Sequence, residues 1–241
     1  ISSTAAYVAT ELGAINAFGY DLQGACSGFL YGMSVASAHI CSGRYQKVLL
    51  IGADTMSSII DYTDRTTCVI FGDGAGAVLF EPNEDGLGLQ DEVLRVDGKG
   101  REFLKIEAGG SMMPATTKTV SARKHYLYQE GRSVFKFAVS NMTNAIHQLL
   151  DQNNLSKDDI DFVVAHQANK RILDAIAKNL DLGYEQMLIN IERYGNTTAA
   201  TLPLLLWDYE SKLKKNQKLL FTAFGGGFTW GATYLTWAYN S

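Results

Sequence analysis

Proline is scarce and long apolar runs are missing. Only 3 prolines occur among 241 residues, so the chain is no proline-rich stalk or linker. No apolar stretch approaches the roughly 18 residues that a spanning helix needs, and no membrane segment is expected. Charge is also modest. Asp, Glu, Lys and Arg make up 19% with a net charge of −4, too little for a disordered chain. The mild acidity supplies no chain-wide basic surface for nucleic acid. The opening stretch, ISSTAAYVATELG, has neither a basic n-region nor a cleavage pattern and is not read as a signal peptide. It also does not start at Met, which leads us to expect a processed chain or a fragment. The three cysteines, Cys26, Cys41 and Cys68, cannot all pair. None has metal-site spacing to another Cys or to His. A reducing, cytoplasmic setting follows as the expectation. No H-E-x-x-H, no GKS/T and no paired carboxylates stand out, so no metal site is expected.

Hydrophobic residues are plentiful at 46%, and the 23 glycines are clustered. The length suits one large domain or two small ones. Periodicity predicts helices over 4–12, from 29 to the Gly43 stop, over 131–152, 169–180 and 198–213, with Pro203 in a first turn or at a kink. Strands are predicted at 18–24, 47–53, 71–81, 93–96, 161–166, 187–191, 218–224 and 229–237, with 47–53 and 71–81 read as buried. The alternation implies an α/β fold with a largely parallel sheet. There is an internal echo as well. A turn, a helix, a strand and a glycine-rich turn into a second strand follow Cys26, and the same order follows Asn196. This suggests a duplicated fold with a site between the halves.

Cys26 sits among small residues, in GACSG, where a helix starts. A helix N-terminus lowers a thiol's pKa, so Cys26 is either a nucleophile or a small packing residue. His166 ends an apolar strand, at the sheet edge where α/β sites form, or else it caps the next helix. The other histidines are weaker candidates: His39 and His147 fall within predicted helices, and His125 ends the polar stretch 82–125, where the pattern loosens. Asn196 is either an N-cap or an amide facing the same cavity. Gly225–Gly227 offer backbone N–H groups for an oxyanion, or form a tight turn. FGDGAGAV resembles a dinucleotide loop, but its glycines precede a strand rather than a helix.

Taken together, GACSGF (24–29), DRTTCVIFGDGAGA (64–77), HQANKRI (166–172), RYGNTTAA (193–200) and AFGGGFTWGA (223–232) resemble the β-ketoacyl-acyl-carrier-protein synthase III family. The motifs occur in order from end to end of the chain. The elongating ketoacyl synthases pair a Cys with two His, whereas the third partner here is Asn196. The resemblance implies a thiolase-like fold of two related β/α repeats in five layers (αβαβα), the first repeat incomplete here. It divides the chain into 1–85, carrying Cys26, and 86–241, carrying His166 and Asn196.

The resemblance also implies a reaction. Cys26 takes an acyl group from an acyl-CoA primer, with acetyl-CoA expected, and the amides of Cys26 and Gly226 hold the oxyanion. Malonyl-acyl carrier protein then loses CO2 while His166 and Asn196 bind its thioester oxygen, and the carbanion attacks the acyl-Cys. His166 and Asn196 should serve decarboxylation more than loading. Arg65, Asn169 and Phe224 are implied coenzyme A contacts, and Lys136, Arg171 and Lys178 an acidic carrier protein's docking patch. No metal or redox cofactor is implied. A homodimer joined through Phe18–Leu22 is, with Ile1 near the partner's primer pocket, where an aliphatic residue suits a primer longer or more branched than acetyl. Three other readings compete: an NAD(P)-binding enzyme, which lacks its fingerprint; an inactive condensing-fold partner, which should have lost Cys, His or Asn; and a synthase III relative in secondary metabolism.

Overall fold

The chain begins, in a computed structural model describing residues 2–183 and 185–240, with helix α1 (Thr4–Glu11). Ile1 lies outside the described residues, and with it the expectation about the primer pocket. Ser3 caps α1, and both carboxylate oxygens of Asp21 accept from its first amides, at 2.8 Å from Thr4 and 2.9 Å from Ala5. Helix α2 (Gly28–Cys41) follows a one-turn 3₁₀ segment, Ala25–Ser27. Strands β1 (Val48–Asp54), β2 (Gly74–Phe80), β3 (Gly88–Val96) and β4 (Leu104–Ile106) come next. They lead to the short helix α3 (Thr117–Ser121) and strand β5 (Leu127–Gln129). The remainder is α4 (Gly131–Gln152), β6 (Phe162–Ala165), α5 (Lys170–Asn179), α6 (Ile191–Tyr194), α7 (Thr201–Tyr209), β7 (Lys218–Gly225) and β8 (Thr229–Thr236).

The main sheet has the order β3-β8-β7-β6. Only β6 and β7 run parallel, and β7–β8 and β8–β3 are antiparallel. The largely parallel sheet expected from the alternation is therefore corrected. Gly226–Phe228 turn β7 straight back into β8, a connection too short for a crossover. The predicted strand at 187–191 reduces to one parallel bridge, Val163 to Met187. There Val163 donates to Gln186 and receives from Leu188, before the chain coils into α6. Residues 18–24 form no strand, because a strand needs a ladder partner and the described residues of this chain offer none.

Helices α2 and α7 lie between the main sheet and the β1–β2 pair, and α4 covers the main sheet's other face with α5 beside it. One core holds Phe29, Leu30, Leu202, Leu205 and Phe221 between the sheets, and the other holds Met142, Ile146, Leu149, Leu173 and Ile176 under α4 and α5. The periodic apolar positions behind the predicted helix over 131–152, Val134, Ala138, Met142, Ile146, Leu149 and Leu150, form the stripe that this second core buries, with Phe135 and Val139 at its margin. Pro203 is the third residue of α7, in the first turn, where its missing N–H costs nothing. Strands β1 and β2 differ from expectation. They bury alternate residues only, and Leu49, Ile51 and Leu79 on the outer face are exposed.

The internal echo has a physical form. Each of α2 and α7 is preceded by a 3₁₀ turn and followed by an antiparallel strand pair, β1–β2 or β7–β8. Each 3₁₀ turn opens on a non-glycine residue in the left-handed region, Ala25 at φ 48° and Thr198 at φ 52°. In this matching Cys26 corresponds to Ala199, and Asn196 lies just before the turn.

Candidate active site

Cys26 is carried by the 3₁₀ turn ahead of α2, and that turn is pinned to the β7–β8 hairpin. Ser27 Oγ donates to the Thr229 carbonyl at 3.0 Å, and Thr229 Oγ1 donates to the Gly24 carbonyl at 2.8 Å. A Cβ on Gly225 would lie 2.7 Å from the Cys26 amide nitrogen, so only glycine lets the end of β7 approach this closely. The thiol is buried, at 6% exposure. Burial, reinforced by the Asp54 carboxylate, pushes it up to about 12. The lowered pKa expected at a helix start is thus corrected: desolvation outweighs it. Cys41 is exposed and Cys68 half-buried.

His166 follows β6 directly, and its amide donates to the Thr222 carbonyl of β7 at 2.8 Å. The side chain is 1% exposed, and burial holds its pKa down at about 3, so the imidazole is neutral. Its Nδ1 lies 2.7 Å from Thr201 Oγ1, while Nε2 is buried with no partner among the described residues.

Asn196 is held by a parallel bridge to Phe71: its amide donates to the Ile70 carbonyl at 2.9 Å, and its carbonyl accepts from Gly72 at 3.0 Å. Its side-chain Oδ1 accepts from the Thr198 amide at 2.9 Å. The bond is a local turn just ahead of the 3₁₀ segment, whose N-cap is Thr197 rather than Asn196, and the NH2 group is left over as a donor. Thr198 connects onward, because its carbonyl oxygen lies 3.0 Å from Thr201 Oγ1. Asn196, Thr198, Thr201 and His166 thus form one linked set, and Cys26 meets β7 at Gly225, the strand to which His166 bonds at Thr222.

Asp54 escaped the sequence reading. It closes β1, and its Oδ2 accepts from Thr198 Oγ1 and, at 3.3 Å, from the Ala199 amide. A Cβ on Gly52 would meet the Ala199 carbonyl oxygen at 2.4 Å. Strand β1 and the 3₁₀ turn ahead of α7 therefore touch backbone to backbone. The sequence signal was available, since a polar residue at the end of an apolar strand marks a site edge. The glycines of FGDGAGA have the same purpose. A Cβ at Gly72, Gly74 or Gly76 would strike Tyr194, Thr197 or Pro203.

The remaining expected residues scatter more widely. Asn169 caps α5, accepting from the Arg171 amide at 2.9 Å. Phe224 is buried against Phe228, ring centroids 4.7 Å apart. Arg65 is exposed on the loop before β2. Lys136, Arg171 and Lys178 are exposed on α4 and α5, and the Arg171 guanidinium stands over the Phe135 ring at 5.7 Å. Lys136 also borders a shallow groove of about 380 Å³ with Asn144 and Asn179. No group of three or more metal-ligating side chains occurs among the described residues. None of their helices is long and apolar enough to cross a membrane.

Comparison with known proteins agrees with this geometry. The family described as 3-oxoacyl-[acyl-carrier-protein] synthase III matches residues 20–98, and its C-terminal counterpart matches residues 150–237. β-Ketoacyl-[acyl-carrier-protein] synthase III 1 of Bacteroides thetaiotaomicron is 52% identical over 99% of this chain and 71% of its own length. The crystal structure of 3-oxoacyl-(acyl carrier protein) synthase III from Pseudomonas aeruginosa superposes with a TM-score of 0.90 at 35% identity, over 100% of this chain and 73% of that one. The priming β-ketosynthase of the R1128 polyketide pathway also gives 0.90, at 30% identity, over 100% of this chain and 72% of its own. The layers, the paired 3₁₀ turns and these matches lead to one conclusion: the chain belongs to the β-ketoacyl-[acyl-carrier-protein] synthase III family, thiolase-fold acyltransferases of fatty acid synthesis.

Proposed function

We propose that Cys26, His166 and Asn196 are the catalytic residues of a decarboxylative condensation that joins an acyl-CoA to malonyl-acyl carrier protein, giving 3-oxoacyl-carrier protein, CoA and CO2. The observation that carries the reading is a pair of uncommitted nitrogens in the linked set that shares β7 with the buried Cys26 turn: His166 Nε2 has no partner among the described residues, and Asn196 keeps its NH2 after Oδ1 is used. In loading, the Cys26 thiol gives up its proton as Sγ bonds to the primer's carbonyl carbon, the oxyanion rests on the Cys26 and Gly226 amides, and the C–S bond to CoA breaks, with CoA leaving as the thiol that carries that proton. In condensation, the malonyl C–C bond breaks and its electron pair moves into the thioester enolate. His166 and Asn196 stabilise that oxygen, and the carbon then attacks the acyl-Cys. Losing one preorganised donor from such a site costs roughly 10²–10³ in rate.

Arg65, Asn169 and Phe224 are proposed to contact coenzyme A, and Lys136, Arg171 and Lys178 to dock the acidic carrier protein. The chain divides near residue 85, ahead of β3, and the reaction needs no metal or redox cofactor. A cytoplasmic homodimer paired along Phe18–Leu22 completes the proposal. The similarity to a polyketide-priming enzyme keeps secondary metabolism as the second reading, to be separated by the carrier protein that the enzyme accepts.

Separate assay of the half-reactions tests the site. Asn196→Ala should lose about 10²-fold or more in malonyl decarboxylation and keep measurable acylation of Cys26. Equal, complete loss of both steps in a folded variant would contradict the division of labour.

A further inference from the structure

We propose that Thr201 is a positioning residue that holds His166 as its Nε2–H tautomer, so that the ring presents a donor, not a lone pair, to the substrate oxygen. The inference rests on the roles assigned above to His166 and Asn196.

Thr201 Oγ1 has two close neighbours, His166 Nδ1 at 2.7 Å and the Thr198 carbonyl oxygen at 3.0 Å. A hydroxyl has one proton to give. If the proton goes to Thr198, His166 must donate from Nδ1, and Nε2 is left as a bare acceptor. If it goes to Nδ1, Nε2 carries the ring proton. The bond made at one ring nitrogen decides the state of the other.

Three observations favour the second arrangement. The Thr198 carbonyl already accepts the Thr201 backbone N–H, so it does not depend on the hydroxyl. The contact to the ring is the shorter of the two. Asn196 has spent its oxygen on the Thr198 amide and offers only its NH2 group. A second donor at His166 Nε2 makes a matched pair for an oxygen gaining negative charge, whereas a lone pair there would repel it. Thr198 is the hub of the arrangement: its amide orients Asn196, its carbonyl touches Thr201, and its hydroxyl is fixed by Asp54.

The test combines ¹⁵N spectra of histidine-labelled protein with the two half-reactions, for the wild type, Thr201→Val and Thr201→Ser. The wild type should show a pyrrole-type His166 Nε2 and a pyridine-type Nδ1. Thr201→Val, close in shape but without a hydroxyl, should lose that signature. It should also slow malonyl decarboxylation about tenfold or more, below the ~10²–10³ ceiling for a lost donor. Acylation of Cys26 should change much less, and Thr201→Ser should restore both signature and rate. A pyrrole-type Nδ1 in the wild type would overturn the inference. So would a Thr201→Val protein with an unchanged ring spectrum and full decarboxylation. If Thr201→Val does not fold, the wild-type and Thr201→Ser spectra decide on the same criterion. A wild-type protein that neither loads Cys26 nor decarboxylates malonyl-carrier protein would overturn the functional reading and this inference with it. An active enzyme with Nδ1 protonated overturns this inference alone.

Discussion

Cys26 and His166 are both neutral at physiological pH, for the same reason: neither reaches enough water to hold a charge. With the thiol pushed up to about 12, iodoacetamide should inactivate through a minor thiolate population. The inactivation rate should keep rising beyond pH 9, where an ordinary thiol levels off; a plateau near pH 8 would contradict the buried setting. Mapping must separate Cys26 from Cys41, which is exposed and open to the reagent. The Asp54 carboxylate adds to the upward shift, so Asp54→Asn should move the profile to lower pH. His166 acts on stability with the same pH sense as a salt-bridged carboxylate, though the cause is burial of a neutral ring. Its folded pKa, about 3, lies below the ordinary histidine value of 6.5. Between these values the unfolded chain binds the extra proton, so stability falls as the pH falls through this window. The slope is at most about 1.4 kcal/mol per pH unit. In denaturant titrations from pH 7 to 4, His166→Gln should have a flatter acid limb than the wild type. Parallel limbs would show that the ring is not buried neutral.

The elements meet where glycines allow it. Gly225→Ala would drive a Cβ to 2.7 Å from the Cys26 amide, and Gly52→Ala would drive one to 2.4 Å from the Ala199 carbonyl. Each should cost about 1–3 kcal/mol by overpacking. Gly225→Ala should also slow acylation of Cys26, because the oxyanion amide itself is displaced. Thermal melts together with a loading assay check both, and an undisturbed Gly225→Ala enzyme would contradict the close approach. On the outer helices, Arg171→Glu should raise the KM for malonyl-carrier protein at low salt and leave that for acyl-CoA nearly unchanged. No change in either would place the docking patch elsewhere.

At this scale the sequence was informative where periodicity and caps are local. The α4 stripe, the Gly43 stop and the position of Pro203 could all be read from it. It misled where pairing is non-local. The apolar runs at 47–53 and 71–81 read as fully buried strands, yet each has an open face, since a run cannot reveal how many layers cover it. Strand direction depended on the three-residue turn at Gly226–Phe228. Cys26, His166 and Asn196 stood out as chemical residues at element ends, whereas Asp54 and Thr201 matter through contacts made across 144 and 35 residues of chain.

The whole molecule leaves apolar surface open. Phe18 and Tyr20 are exposed on a segment without a ladder partner, and Leu49, Ile51 and Leu79 face outward from β1–β2. Unpaired, apolar edges favour association. Sedimentation at micromolar concentration should therefore show a dimer, weakened by Tyr20→Pro, which removes a ladder donor. A strictly monomeric protein would remove the proposed pairing along Phe18–Leu22. The central claim is that the two halves assemble one site in which Cys26 carries the acyl group and His166 and Asn196 drive condensation. Mass spectrometry of the protein after exposure to labelled acetyl-CoA, and again after a chase with malonyl-acyl carrier protein, tests it most directly. The label should appear as a thioester on the Cys26 peptide alone and leave it during the chase as 3-oxobutyryl-carrier protein. Acyl label on Cys41 or Cys68 instead, or an acyl-Cys26 that malonyl-carrier protein does not discharge, would contradict the account.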